Sequence, residues 1–229
     1  MSGSEVTSHF WVGGAPFFSS SLLVSSGTRK WVDETLVASC RLFDVDGAPV
    51  NSFQVEFPVC EAGVVELEPF MTGLKMQGGI AQGHLVVTSP AGTKHFCRQQ
   101  SGTHPQIVSA PTLIGGREHA FIPIVLGAAR EHLLLFVNAS AEVSQVTVRL
   151  FYGSRSPEWT VSVPAYGCSS VPLEDELLRS FSDTSWQKGA VQGYIRLSPR
   201  PQSSIACQIL ERIPGETAES EQFRCLQSW

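Results

Sequence analysis

Apolar and polar residues alternate along much of the chain. Residues 145–151 read Gln-Val-Thr-Val-Arg-Leu-Phe, and 158–163 read Glu-Trp-Thr-Val-Ser-Val after a Gly153–Pro157 turn. A period of two marks a strand with one buried face. Residues 52–57 alternate in the same way after the turn Asp46-Gly47-Ala48-Pro49, which predicts a hairpin. Further strands are expected at 83–88 with 94–99, and at 193–198 with 204–210. Only 173–181 has the spacing of a helical turn or two.

The pattern also repeats. His9-Phe10-Trp11-Val12 matches His119-Ala120-Phe121-Ile122, and Leu23-Val24 matches Leu133-Leu134, both 110 positions on. Arg41-Leu42-Phe43 matches Arg149-Leu150-Phe151 at 108, and 58–68 follows 164–174 at 106. Gly79, Gln82-Gly83 and Cys97 return as Gly189, Gln192-Gly193 and Cys207 at 110. The offset changes only in turn-rich stretches, as insertions into a folded repeat do. The prediction is an all-β chain: two tandem antiparallel β-sandwich domains related by internal duplication. Residues 1–105 form the first repeat, 106–115 a linker, 116–213 the second repeat and 214–229 a tail.

Composition fits that picture. Of 229 residues, 42% are apolar and 16% charged, which is too apolar for disorder. A net charge of −5 with scattered basic residues argues against a nucleic-acid partner. No stretch reaches the roughly 18–20 apolar residues of a membrane span. The first residues, Met1-Ser2-Gly3-Ser4-Glu5, lack the features of a signal peptide, so a cytoplasmic protein with free thiols is expected.

Catalytic signatures are missing. Asp44-Val45-Asp46-Gly47 matches the opening of a calcium loop, but the later ligands are lacking and a hairpin turn explains it. The histidines form no metal motif, no G-x-S-x-G elbow occurs, and no cofactor or metal is expected. His84 and His95 fall on strands expected to pair, so they are candidate ligand residues. Trp11, Phe17 and Phe18 are candidates too, because exposed aromatics on a sandwich can anchor a ligand or partner. Adjacent strand residues point to opposite faces, so either Phe17 or Phe18 should lie outside its own sandwich.

Residues 133–138, 146–151 and 161–164 give a strand ending in Asn, a strand ending in an aromatic, and a strand ending in Val-Pro. That series resembles the soluble sensory rhodopsin transducer and related small bacterial β-sandwich domains. The resemblance implies a non-enzymatic, oligomeric protein that binds partners or small ligands. The expected function is therefore a self-associating binding or assembly protein. Its protein or small-molecule ligand would sit between repeats, near residues 101–116. Two alternatives stay open. One is an enzyme using His84, His95, Glu66 and Glu68 at the inter-repeat cleft; the other is a structural component of a surface or phage-like assembly.

Overall fold

The computed structural model describes residues 4–26, 35–59, 61–101, 104–109, 111–115, 118–182, 184–213 and 222–227. The first half contributes β1 (Glu5–Gly13), β2 (Ser19–Ser26), β3 (Thr35–Phe43), β4 (Pro49–Pro58), β5 (Ala62–Glu66), β6 (Met76–Gln77), β7 (Ile80–Pro90), β8 (Thr93–Ser101) and β9 (His104–Ser109). The second contributes β10 (Ile114–Gly115), β11 (Ala120–Leu126), β12 (Glu131–Asn138), β13 (Ser144–Tyr152), β14 (Glu158–Val163) and β15 (Cys168–Pro172). After these come α1 (Leu173–Phe181), β16 (Val191–Pro199), β17 (Ser204–Ile213) and β18 (Gln222–Gln227). The fold is all-β, built of antiparallel sheets packed face to face.

Strand order is the same in both halves. The first half pairs β1-β7-β3-β4 and β5-β2-β8-β9; the second pairs β11-β16-β13-β14 and β15-β12-β17, with β10 and β18 sharing the free edge of β17. Each half encloses its own core. Phe10, Leu22, Leu42, Phe57, Leu85 and Cys97 meet in the first; Ile122, Leu134, Phe136, Leu150, Ile195 and Ile209 meet in the second. The correspondence between the halves is looser in register than the sequence offsets imply. Val12 faces Gly83 and Ile124 faces Gly193. Residues in the same place on the first strands are thus two positions further apart than 110. A shift of two keeps every side chain on its own face, so both cores survive it.

A third apolar layer joins the halves. Trp11, Phe18, Leu135, Val137, Cys168, Ala206 and Leu210 form a separate buried cluster, with Val45, Ile80, Leu113 and Leu133 against it. These residues come from the β1-β7-β3-β4 sheet and its loops on one side and from the β15-β12-β17 sheet on the other. The molecule is therefore four sheets deep. β12 shows why: Leu133 to Val137 is apolar throughout, with Leu134 and Phe136 turned to one core and Leu135 and Val137 to the interface. A strand buried on both faces needs apolar residues at every position.

Two turns interlock at this interface. Gly47, at φ +82°, passes so close to the second half that a Cβ there would lie 1.8 Å from the Ala165 carbonyl oxygen. The Cys168 amide donates to the Val45 carbonyl at 3.3 Å. Tyr166 holds a left-handed φ of 53°, stacks on Phe43 at 5.6 Å and presents its carbonyl to His84. A non-glycine residue in that region costs about 1 kcal/mol or more, which the contacts around Tyr166 must offset.

One sequence expectation is corrected. Residues 83–88 and 94–99 do not form a hairpin: β7 and β8 lie in opposite sheets, as do β16 and β17. The chain arches over the sandwich edge instead, and alternation alone cannot distinguish the two connections. The tail adds a strand. Residues 222–227 pair with β17 as β18, and Leu226 packs on the second core; residues 214–221 lie outside those described.

Candidate functional site

The interface opens at one end into a cleft of about 500 Å³. Phe17, Phe18, Gly78 and Ile80 line it from the first half. Leu133, Leu178, Trp186 and Leu210 extend the apolar wall from the second, and Arg130, Glu131, Asp175 and Arg212 add charge. Phe17 is 53% exposed at the lip, whereas Phe18 is buried in the interface layer. Strand alternation does not govern the pair, because Phe17 lies in a turn and Phe18 just before β2, and neither joins the first sandwich core. The cleft lies between the halves, and the described residues that line it come from outside the 101–116 joint.

A buried polar network backs the cleft. The His132 backbone N–H donates to Glu174 Oε2 at 2.8 Å, and His132 Nδ1 meets Glu174 Oε1 at 2.6 Å. Nε2 of the same ring lies 3.5 Å from Glu211 Oε1 without forming a hydrogen bond. Arg130 in turn donates to Glu211 at 2.5 Å. His132 and Glu211 face each other across β12 and β17, on the side that continues the second core. Glu174 reaches them because the chain turns into α1 directly after β15. Sequence reasoning missed this cluster, since its members are 42 and 79 residues apart and His132 has no histidine counterpart in the first half.

The nominated residues are mostly elsewhere. Trp11 is buried in the interface and donates its indole N–H to Gln82 Oε1 at 2.8 Å. His84 is fully buried beside it. The Tyr166 carbonyl can only accept, so His84 Nδ1 donates to it at 2.7 Å. His84 Nε2 then accepts from His9 Nδ1 at 3.0 Å. Burial lowers the His84 pKa to about 3, with His9 and Arg41 adding repulsion. Burial and Arg41 lower that of His9 to about 4. Both rings are neutral near pH 7, and the His84–Tyr166 bond fastens the halves together.

His95 lies inside the first sandwich, with Nδ1 2.9 Å from the Ser8 hydroxyl and Nε2 2.7 Å from that of Ser89. Burial lowers its pKa to about 4. It does not approach His84, because their strands belong to opposite sheets. Glu66 is tied to Ser21 and Arg98 on the outer sheet, and Glu68 is exposed in a short 3-10 turn. The set His84, His95, Glu66 and Glu68 therefore forms no common site.

Asp44 closes its turn by accepting from the amides of Asp46 at 3.0 Å and Ala48 at 2.8 Å, while Lys75 bridges Asp44 and Asp46. These bonds leave the carboxylates in a hairpin turn. Among the described residues, no three His, Cys, Asp or Glu side chains are grouped to hold a metal ion. Cys40 and Cys168 are buried free thiols, and Cys97 and Cys207 are buried as well; burial pushes the Cys40 pKa up to about 12. Among the described residues, no helix is long and apolar enough to cross a membrane. Comparisons with protein-family models, curated proteins and solved structures return no match.

Proposed function

We propose that this chain is a non-catalytic binding protein whose ligand occupies the cleft between the two halves. The observation that carries the reading is the lining. Both halves supply apolar groups to a cavity of about 500 Å³, and charged side chains stand at its margin. A concave, mostly apolar site with a few polar groups is the usual form of a small-molecule pocket. The fixed interface supports a preorganised site, which lowers the entropy lost on binding. A ligand with an aromatic or branched apolar body and one charged end fits this lining.

The test is a thermal-shift screen with aromatic and aliphatic carboxylates, amines and amino-acid derivatives. The expected result is a positive shift for at least one class, abolished by Phe17→Ala without loss of the unliganded fold. A flat response across the panel would overturn the reading.

Catalysis at the cleft has one observation in its favour, the His132–Glu174 contact. Against it, the His132 ring is fully buried, and the described lining holds no serine, threonine or cysteine to act as nucleophile. Both glutamates are already engaged. The network is better read as the polar plug of an open sandwich end.

Self-association and a cytoplasmic setting belong to the same proposal. Phe121 and Tyr194 are exposed together on the outer β11-β16-β13-β14 sheet, with Phe151 stacked on Tyr194 at 4.6 Å. This is the face expected to meet a second copy. Sedimentation of Phe121→Ser with Tyr194→Ser should then show a lower mass than the parent. The buried free thiols support a reducing compartment.

A further inference from the structure

We propose that the open edge of the second sandwich binds an extended peptide as an added strand. This site goes beyond the inter-half cleft. A groove of about 850 Å³ runs between β14 and β15, the terminal strands of their two sheets, and ends against α1. Trp159 to Ser162 form one wall, Ser169 to Pro172 the other, and Asp175 and Leu178 stand at the helical end.

The backbone of both walls is available. Leu150 N–H donates to the Pro157 carbonyl. Bonding alternates along an antiparallel ladder, so Glu158, Thr160 and Ser162 turn their own N–H and C=O groups away from β13. On β15, Asn138 N–H donates to the Gly167 carbonyl, which by the same alternation leaves Ser170 directed outward. Edge strands usually carry charges, bulges or prolines that block pairing. β14 has only Glu158 at its start, no proline within it and a regular register with β13.

The first half shows what a closed version looks like. Phe53 faces Cys40 as Trp159 faces Val148. Phe53 is covered by Phe70, stacked at 3.9 Å, and Asn51 donates to the Phe70 carbonyl at 3.3 Å. In the second half, the ring nearest Trp159 is Phe181, tilted at 56° with centroids 6.3 Å apart. Trp159 Nε1 is buried and has no hydrogen-bond partner. A buried indole donor is normally satisfied, and a peptide carbonyl laid along β14 would satisfy it.

Groove chemistry selects the peptide. Trp159, Val161, Val171 and Leu178 favour apolar side chains at alternate positions. Asp175 is exposed at the Trp159 end, and no cation pairs with it among the described residues. An antiparallel peptide therefore carries Lys or Arg near its C-terminus and apolar residues at every second position before it.

A positional-scanning hexapeptide array tests this. Binding should favour that alternating pattern, and Asp175→Asn should erase the preference for a basic residue. Thr160→Pro removes one outward N–H and leaves the β13 ladder intact; it should weaken binding about tenfold, the equivalent of one good hydrogen bond. Trp159→Phe should weaken binding about fivefold, because it keeps the ring and loses the donor. Should Thr160→Pro disturb the fold, peptides N-methylated at alternate backbone positions apply the same test to the native protein, and one register should fail while the other binds. The proposal is overturned by an array without binders or by binding indifferent to N-methylation. A concentration-dependent dimer that Thr160→Pro abolishes would also overturn it, since a second copy would then fill the groove. Thr160 and Trp159 do not line the inter-half cleft, so failure here leaves the ligand-cleft reading standing, and the reverse also holds.

Discussion

Replacing Trp11 by alanine should destabilise the whole molecule, because the indole lies where two sheets from different halves meet. Trp11 is 1% exposed and stands edge-on to Phe18, with ring centroids 5.6 Å apart. Truncation removes about 200 Å² of buried surface, or about 5 kcal/mol at 25 cal/mol per Å². That figure is an upper bound, because a real unfolded chain already buries part of its apolar surface. The fully buried Gln82 also loses the donor to its Oε1, a further penalty of about 1 kcal/mol or more. Allowing for partial collapse, the expected loss is about 4 kcal/mol, within the range for large-to-small core changes. With a urea slope of about 3 kcal/mol per M, the unfolding midpoint should fall by more than 1 M. Trp11→Phe retains most of the packing and should lose about 2 kcal/mol. Urea titrations followed by circular dichroism and fluorescence measure both. A loss below about 1 kcal/mol for Trp11→Ala would mean that Trp11 is not buried between the halves, and the interface as described would be wrong.

Other outcomes follow from the same contacts. Gly47→Ala forces a Cβ to 1.8 Å from the Ala165 carbonyl oxygen at a positive φ, so thermal unfolding should show a loss of about 3 kcal/mol or more. His9, His84 and His95 have folded pKa values of about 4, 3 and 4, below the unfolded value near 6.5. In that window the unfolded state binds more protons, so stability is full above about pH 6.5 and falls as the pH drops. The slope should be up to about 1.4 kcal/mol per pH unit for each histidine, and urea stability unchanged between pH 7.5 and 5 would contradict their burial. Gln208 is 2% exposed, and neither its side-chain nitrogen nor its oxygen has a partner. Gln208→Leu should therefore stabilise by about 1 kcal/mol in chemical denaturation. In a Cys60→Ser, Cys225→Ser background, Ellman's reagent should find no reactive thiol in the native protein and four after unfolding.

Much of the fold was legible because burial leaves a period-two trace. Residues 145–151 and 158–163 pair as the alternation requires, and the one α-helix among the described residues spans Leu173–Phe181, where the spacing placed it. The third apolar layer went unread although its signal was present. The run Leu133 to Val137 has no polar face, which marks a strand covered on both sides, yet within one sandwich it passes for ordinary core. Partnering was harder still. His84 and His95 are separated by an arch that takes the chain from one sheet to the other, and local pattern does not encode that choice. Trp11 looked like a candidate anchor because a large aromatic on a strand reads alike at a ligand site and at an internal interface. Of the nominated residues, only Phe17 and Phe18 line the cleft. His132 and Glu174 required the fold, since nothing in their local sequence distinguishes them.

The distance between the two outer sheets tests the stacked arrangement most directly. With spin labels at Lys94→Cys on β8 and Thr147→Cys on β13, in the Cys60→Ser, Cys225→Ser background, double electron–electron resonance reads across all four sheets. Three intersheet gaps of about 10 Å each predict one narrow distribution centred at roughly 30–45 Å once label length is included. A broad distribution, or one extending well beyond that range, would mean that the halves move as separate beads and that the buried layer between them does not exist.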